Sequence, residues 1–181
     1  KNFYNQNYKD KKVVFVSFRR TFSNSVGRIF DDFKVYSDIT DEITLEKYNK
    51  LIIQVESLYK LHISEKPDLL ILDEVESILS QFTSNLHKSL NTSFAVFSWL
   101  VKYSKKIIIM DANLTERTYN IIQNLRPIAL DKIHLHWNTY KKASNNKYLV
   151  TNIHKDWLNQ IILALKEDNK IVIATNNKTE A

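Results

Sequence analysis

Short apolar runs alternate with polar or amphipathic segments along the first two thirds of the chain. Four such runs are "KVVFVS" at 12–17, "KLIIQV" at 50–55, "DLLILD" at 68–73 and "KKIIIMDA" at 105–112. Their length and β-branched content predict strands. Strands made of continuous apolar residues are covered on both faces, which is typical of a parallel sheet with crossover helices. The pattern therefore predicts an α/β domain with helices on both faces of a parallel sheet.

Apolar residues recur every three or four positions between these strands, which predicts helices with one apolar face. A short helix is expected in "ESLYKLHI", and another should follow Thr115 as N-cap and end before Pro127. The apolar stripes of the others are Val26, Ile29, Phe30 and Phe33; Val75, Ile78, Leu79 and Phe82; and Leu86, Leu90, Phe94, Phe97 and Val101 in a helix over 86–103.

The pattern weakens beyond Pro127. "DKIHLHWNTY" alternates and fits an edge strand or an extended linker, and the polar "KKASNNK" is the best domain boundary. A strand "NKYLVTN", an amphipathic helix and a strand "KIVIATN" are expected after it. The organisation predicted is one domain over 1–140, then a linker and the first elements of a second domain over 141–181. Zinc is not expected at His134, His136 and His154, because a zinc site needs three or four converging ligands.

Composition adds limits on function. The 181 residues include no cysteine, which excludes disulfides and thiolate metal sites. No apolar run approaches the roughly 18 residues of a membrane span, so no membrane partner is expected. The net charge of +6 and a pI near 9.3 favour a polyanionic partner. The chain opens on Lys1, so a fragment or processed product is expected.

Polar side chains stand at the end of every predicted strand. In a doubly wound sheet the ligand site lies beyond the carboxyl ends of the strands, so these residues should meet at one edge. They are Ser17, Arg19 and Arg20; Gln54, Glu56 and Ser57; Asp73 and Glu74; Asp111 and Asn113.

The adjacent pair Asp73 and Glu74 carries the clearest chemistry. Two neighbouring carboxylates repel each other and are costly to desolvate, so they need a solvated turn or a cation. An Asp at the end of an apolar strand can hold a hydrated Mg²⁺, and a following Glu can polarise the attacking water. A strand end followed by a helix start explains the pair equally well, since acids suit a helix N-terminus.

"ILDEVES" resembles the Asp-Glu box of superfamily 2 helicases. The ordered segments "VVFVSFRRTFSNSV", "KLIIQVESLYKL", "DLLILDEVESILSQF", "IIIMDANLT" and "KIVIATNNKTEA" together resemble the helicase region of herpesvirus-type replication origin-binding proteins, and of their relatives in large DNA viruses and mobile elements. The resemblance implies two RecA-like domains with ATP and Mg²⁺ bound between them and DNA crossing both. Domain 1–140 would then be a partial first RecA-like domain, and 141–181 would open the second.

The resemblance also implies roles for single residues. Asp73 would hold the metal and Glu74 would act in catalysis. Ser17, Arg19 and Arg20 would contact the backbone of DNA, as would Gln54 and Ser57, with Glu56 organising their loop. Asp111, Ala112 and Asn113 would couple the state of ATP to the grip on DNA. The partners implied are DNA, as a single strand or a replication origin, and replication proteins. The location implied is the nucleus or another site of DNA replication rather than the outside of the cell.

One departure from the family limits the chemistry expected of these 181 residues. The family places a Gly-rich phosphate-binding loop before "VVFVS", whereas the single glycine here, Gly27, falls inside a predicted helix. We therefore expect no ATP hydrolysis from this chain alone.

Two alternatives remain open from the residues. One is a non-catalytic remnant of such a helicase that binds nucleic acid or a partner through basic residues. The other is a metal-dependent nuclease or phosphatase built on Asp73, Glu74 and Asp111. That site expects a further carboxylate, for which "LDEVE" offers only Glu76, pointing away from Glu74 on the helix.

Overall fold

The computed structural model describes residues 7–84, 89–136 and 154–167, with the backbone alone at 20–22, 24, 25 and 154. The chain divides into two compact units, Lys1–His134 and Leu135–Ala181. The domain boundary predicted at 140, the strands "NKYLVTN" and "KIVIATN" and the segment "KKASNNK" lie outside the described residues.

A five-stranded parallel sheet forms the centre of the first unit, in the order β2-β4-β1-β6-β7. All five residues of β1 are buried, as are four of the five in β4, so both faces of the central strands are covered. A separate parallel pair joins β3 to β5. The strands are β1 Val13–Ser17, β2 Lys34–Val35, β3 Ile43–Thr44, β4 Lys50–Gln54, β5 Leu61–His62, β6 Leu69–Asp73 and β7 Lys106–Met110.

Helices flank this sheet and supply the rest of its core. In the described part of the chain, 3₁₀ helix covers Tyr36–Asp38, Val55–Lys60 and Leu130–Lys132. The helices of the first unit are α1 Arg20–Ile29, α2 Val75–Gln81, α3 Leu90–Tyr103 and α4 Glu116–Leu125.

The predicted α/β architecture with one parallel sheet is confirmed. The four predicted strands are β1, β4, β6 and β7. They are neighbours in the sheet, and each pairs with the next in parallel. Helix α2 confirms the stripe that starts at Val75, and α4 begins directly after Thr115 as predicted.

Three helix predictions are wrong in detail. The short helix expected in "ESLYKLHI" is a 3₁₀ helix that ends at Lys60, and Leu61–His62 form strand β5. Helix α1 ends at Ile29, so Phe33 lies beyond it and packs from the following turn. In α3 the buried residues are centred on Val96, Phe97 and Leu100, whereas Phe94 is 40% exposed, because the core lies on a face rotated from the predicted stripe. Residues 85–88, including Leu86, lie outside the described part of the chain.

Gly27 lies within α1, as its place in the sequence indicated. A Cβ added there would stand 2.7 Å from Cγ2 of Val35, so the glycine allows α1 to approach β2 closely. Its role is packing, and it does not belong to a phosphate-binding loop.

In the second unit, helix α5 spans His154–Lys166 and confirms the predicted amphipathic helix. Among the described residues of the whole chain, no helix has both the length and the apolar character that crossing a membrane demands.

Candidate functional site

The carboxyl ends of β6 and β7 bring the predicted acidic residues to one edge of the sheet. Asp73 is the last residue of β6 and pairs in register with Met110, the last residue of β7. Glu74 is the residue after β6, and Asp111 is the residue after β7. Adjacent strands run about 4.8 Å apart. The expectation that Asp73, Glu74 and Asp111 share an edge therefore agrees with the strand register.

Glu74 stands between β6 and α2 in an unusual backbone conformation. Its φ is 54° and its ψ is 55°, and it is the only non-glycine residue with positive φ in the described part of the chain. This left-handed conformation costs a residue with a Cβ on the order of 1 kcal/mol or more. The turn leaves the Glu74 side chain exposed. A strained backbone that presents a carboxylate to solvent is common at functional sites.

Asp73 is half-buried beside this turn. Burial raises the pKa of its carboxyl group, and the neighbouring charges of Glu74 and Asp111 raise it further, against a hydrogen bond from the Glu74 amide. Neither Asp73 nor Glu74 forms an ion pair with a described residue. A carboxylate held in this way gains from a cation.

The donor set fits a hydrated Mg²⁺ better than a metal caged by protein alone. Within residues 7–84, 89–136 and 154–167, no three His, Cys, Asp or Glu side chains converge on a metal position. Mg²⁺ usually keeps several waters and takes one or two carboxylates together with substrate phosphates. Asp73 could serve as such a ligand.

Asp111 makes two contacts with backbone groups. Its Oδ2 accepts a hydrogen bond from the Glu76 amide at 2.9 Å, and its Oδ1 accepts one from the Asn113 amide at 2.8 Å. The first bond caps the N-terminus of α2, and the second closes a turn after β7. Asp111 therefore ties the end of β7 to the helix that follows Glu74, while Ala112 and Asn113 are exposed.

Glu76, in the first turn of α2, is the centre of a larger network that joins α2 to α4. Its Oε1 accepts hydrogen bonds from the amide and hydroxyl of Thr115, at 2.9 and 2.7 Å, and from the Thr118 hydroxyl. Its Oε2 lies 2.7 Å from Nη2 of Arg117. Burial alone would raise the pKa of Glu76, but these donors lower it to about 2.

The network supplies partners for both carboxylate oxygens of Glu76, so a metal is not needed to explain its partial burial. Each oxygen is already held by donors from α4, and the side chain is only 17% exposed. Glu76 is thus not free to join Asp73 as the further carboxylate that a two-metal nuclease site would need.

The predicted DNA contacts differ widely in exposure. Ser17 is fully buried, and its hydroxyl lies 2.7 Å from the hydroxyl of Ser23 in α1. The Ser23 hydroxyl in turn donates to the Arg19 carbonyl. Ser17 therefore fixes the start of α1 and, as placed here, does not present its hydroxyl to a ligand.

Gln54 is also committed to internal bonds. Its Oε1 accepts from the Tyr36 hydroxyl at 2.8 Å, and its Nε2 donates to the Phe18 carbonyl and to Glu56, at 3.3 and 3.1 Å. The bond to Glu56 agrees with the expectation that this residue organises the loop. Gln54 links the ends of β1 and β4.

Arg19 and Ser57 are the predicted contacts that remain available. Arg19 is exposed, and its guanidinium lies 4.6 Å from the centre of the Phe18 ring. Ser57 is partly exposed in the 3₁₀ turn after β4. Arg20 opens α1, and its side chain lies outside what the structure describes.

The sequence does not predict the contacts of three residues in the α2–α4 network. The pattern predicts Thr115 only as an N-cap and assigns no role to Arg117 or Thr118. The segment "LTERT" does contain a signal for such a network, because it places hydrogen-bond donors at 115, 117 and 118, within one turn of the start of α4. Their common acceptor, Glu76, lies about forty residues away, and this separation hides the pairing from local patterns.

Comparison with known proteins gives a consistent family match. The family model described as "Origin of replication binding protein" matches residues 2–176. A "Putative helicase/primase complex protein" of African swine fever virus (isolate Pig/Kenya/KEN-50/1950) is 46% identical over 174 residues, covering 96% of this chain and 16% of the relative.

Two further relatives come from a herpesvirus and a mimivirus. A "Replication origin-binding protein" of human herpesvirus 6B (strain Z29) is 34% identical over 131 residues, covering 70% of this chain and 16% of its own length. An "Uncharacterized putative helicase R8" of Acanthamoeba polyphaga mimivirus is 26% identical over 187 residues, covering 93% of this chain and 17% of its own. The chain thus spans about one sixth of the length of these relatives.

Proposed function

The chain belongs to the origin of replication binding protein family, and from that premise we propose that it is part of an ATP-dependent DNA helicase of superfamily 2 that acts in the initiation of DNA replication. In this proposal the first unit is part of a RecA-like domain, and residues beyond 140 open a second one. The names of the relatives, which include a helicase/primase complex protein and a replication origin-binding protein, support DNA and replication proteins as partners.

The observation that carries the proposal is the turn at the end of β6. Asp73 lies half-buried with a raised pKa, and the strained backbone of Glu74 presents the next carboxylate to solvent. Asp73 would hold a hydrated Mg²⁺, which would supply positive charge to neutralise the phosphates of ATP. Glu74 would orient the attacking water and accept its proton.

The α2–α4 network supports a coupling role for the segment after β7. Asp111 holds the amide of Glu76, and the carboxylate of Glu76 holds Thr115. A shift of the Asp73–Glu74 turn would therefore move α2 and the start of α4 together. We propose that this linkage transmits the state of ATP to DNA contacts, with Asp111, Ala112 and Asn113 at its centre.

Hydrolysis further requires the β- and γ-phosphates to be fixed and their charge neutralised. The single glycine of the chain packs α1 against β2 and cannot supply a Gly-rich phosphate cradle. A segment that carries such a cradle could pair with the outer strand β7. Its residues Ile107, Ile108 and Ile109 are only partly buried, whereas every residue of the central strand β1 is buried. A further strand of the same protein that pairs with β7 would bring its carboxyl end beside Asp111.

Contacts to DNA would come from Arg19 and Arg20, with Ser57 beside them. Guanidinium groups and hydroxyls are suitable partners for phosphate. Ser17 and Gln54 would act by holding α1 and the β1 and β4 ends in place.

The test is ATP hydrolysis by a protein of the relatives' length that carries these residues. We expect hydrolysis that single-stranded DNA stimulates, reduced by 10²-fold or more in Glu74→Gln because the attacking water loses its base. The matched control is Glu46→Gln, an exposed acid far from the site in the chain, which should leave the rate unchanged.

The 181-residue chain alone should show no measurable turnover. Robust hydrolysis by this chain, lost in Glu74→Gln, would mean that the phosphates are held by residues other than a Gly-rich cradle. Hydrolysis by the longer protein that survives Glu74→Gln would contradict the catalytic role itself.

A further inference from the structure

The amino ends of the strands form a second edge of the sheet, opposite the acidic one, and lysines gather there. Lys11 precedes β1, Lys66 precedes β6, and Lys105 and Lys106 lie at the start of β7. Lys102 lies in the last turn of α3, which leads into β7. All five side chains are exposed. We call these five lysines the amino-edge patch.

The C-terminus of α3 does not explain this charge. Cations commonly neutralise the last carbonyls of a helix. Here Arg126 already does so, with Nη1 donating to the Val101 carbonyl in the last turn of α3 at 3.5 Å and to the carbonyl of its C-cap, Ser104. The lysines are therefore in excess of what the helix end requires.

Nearby carboxylates balance only part of the charge. Asp68 accepts hydrogen bonds from the Lys105 ammonium at 2.7 Å and from the Lys12 amide at 2.9 Å, and Glu65 pairs with Lys12. Burial alone would raise the pKa of Asp68, yet these bonds and the charges of Lys105 and Lys11 leave it lowered. No carboxylate of the described residues forms an ion pair with Lys11, Lys66, Lys102 or Lys106.

Two features arrange the excess lysines as a surface. The ring of Tyr103 has the ammonium groups of Lys66 and Lys102 at 5.2 and 5.3 Å from its centre, which restricts both long side chains. An open cleft of about 380 Å³ lies between the turn before β1 and the start of β7. It is lined by Asn7, Tyr8, Lys11, Asp68, Lys105 and Lys106.

We propose that the amino-edge patch is a second nucleic-acid contact surface, which binds the phosphodiester backbone without regard to base sequence. Ammonium groups on flexible stems bind phosphate as point charges, and they give affinity rather than sequence recognition. The opposite edge carries Asp73, Glu74 and Asp111, which repel phosphate in the absence of a metal. Four exposed lysines that form no ion pair with a described carboxylate are thus placed where a backbone can approach. The inference does not rest on the nucleotide site.

The test is fluorescence anisotropy of labelled 20-nucleotide DNA, single-stranded and duplex, bound to the 181-residue chain over a range of KCl concentrations. Each lost phosphate contact lowers the slope of log affinity against log salt by about 0.7 for a single strand and about 0.9 for a duplex. Lys11→Gln with Lys106→Gln should therefore lower the slope by about 1.4 or about 1.8, respectively.

The control removes two exposed lysines elsewhere. Lys34 opens β2, which β4 and β1 separate from β6, and Lys155 lies in α5 of the second unit. Lys34→Gln with Lys155→Gln should leave the slope unchanged. Equal losses in both double variants would show a general effect of net charge and overturn the proposal, as would an unchanged slope in the patch variant or no binding by the parent chain.

Arg19→Gln separates this surface from the DNA contact proposed at the other edge. Its slope reports on that contact alone, so the two proposals can fail independently. If Arg19→Gln lowers the slope and the patch variant does not, the amino-edge patch is not a nucleic-acid surface.

Discussion

At the scale of single residues, the site contains two energetically unfavourable features at the end of β6. The chain places a half-buried Asp73 next to Glu74 and opposite the β7 end that carries Asp111, with no cation among the described residues to offset them. It also holds Glu74 in the left-handed region, where glycine would be less strained. Both features reduce stability, and residues that do so often serve function instead.

Replacing Asp73 should therefore stabilise the fold. The pKa of Asp73 is raised, so its ionised form opposes folding at neutral pH, and this cost disappears as the pH falls and the group takes up a proton. We expect Asp73→Asn to raise the free energy of unfolding by about 0.5 kcal/mol at pH 7, with no gain at pH 3, in urea titrations followed by circular dichroism.

The exposed Asp31→Asn provides the matched control and should change little. Destabilisation by Asp73→Asn at pH 7 would mean that the carboxylate makes a favourable contact in the folded chain, contrary to the burial and repulsion described above.

At the scale of elements, the apolar runs predicted strands well because β1, β4 and β6 are buried on both faces and show no competing pattern. The helix faces were harder to predict. In α3, Ser93 is buried and its hydroxyl accepts a hydrogen bond from the Tyr59 amide, so the core face includes a polar residue that periodicity counts as exposed.

The details of the candidate site at the carboxyl ends of the strands were equally hard to predict from sequence. Its position at the strand ends followed from the parallel sheet, but the contacts of each side chain did not. Ser17 and Gln54 carry groups suited to DNA, and the fold uses those groups to join β1, α1 and β4. Local sequence reports the type of a polar group, whereas its partners depend on chain segments far apart.

The α2–α4 network should contribute to stability through the charge of Glu76. Its folded pKa of about 2 lies below the unfolded value, so the contribution is present above about pH 4.5 and is lost as the pH falls toward 2. We expect Glu76→Gln to lower the free energy of unfolding by about 2 kcal/mol at pH 7, since hydrogen bonds to a charged acceptor are lost.

The difference between Glu76→Gln and the parent chain should shrink steadily between pH 4.5 and pH 2, while the exposed Glu46→Gln shows no such dependence. Equal stability of parent and Glu76→Gln at pH 7, by urea unfolding, would mean that the network with Arg117 and Thr118 is not held in solution.

At the scale of the whole molecule, the first unit has two chemically different edges. The carboxyl ends of the strands carry the acidic turn of Asp73 and Glu74, and the amino ends carry the amino-edge patch. The net charge alone predicts a polyanionic partner but does not show where it binds, because residues of the amino edge and of the carboxyl edge alternate along the sequence. The parallel order of the strands separates them in space.

The measurement that tests the central proposal most directly is a crystal structure of a protein of the relatives' length that carries these residues, with Mg²⁺ and a non-hydrolysable ATP analogue. The account predicts a hydrated metal beside the Asp73 carboxylate and the terminal phosphate facing Glu74. A nucleotide whose metal has no direct or water-mediated contact with Asp73, or one bound in the cleft of Lys11, Lys105 and Lys106, would contradict it.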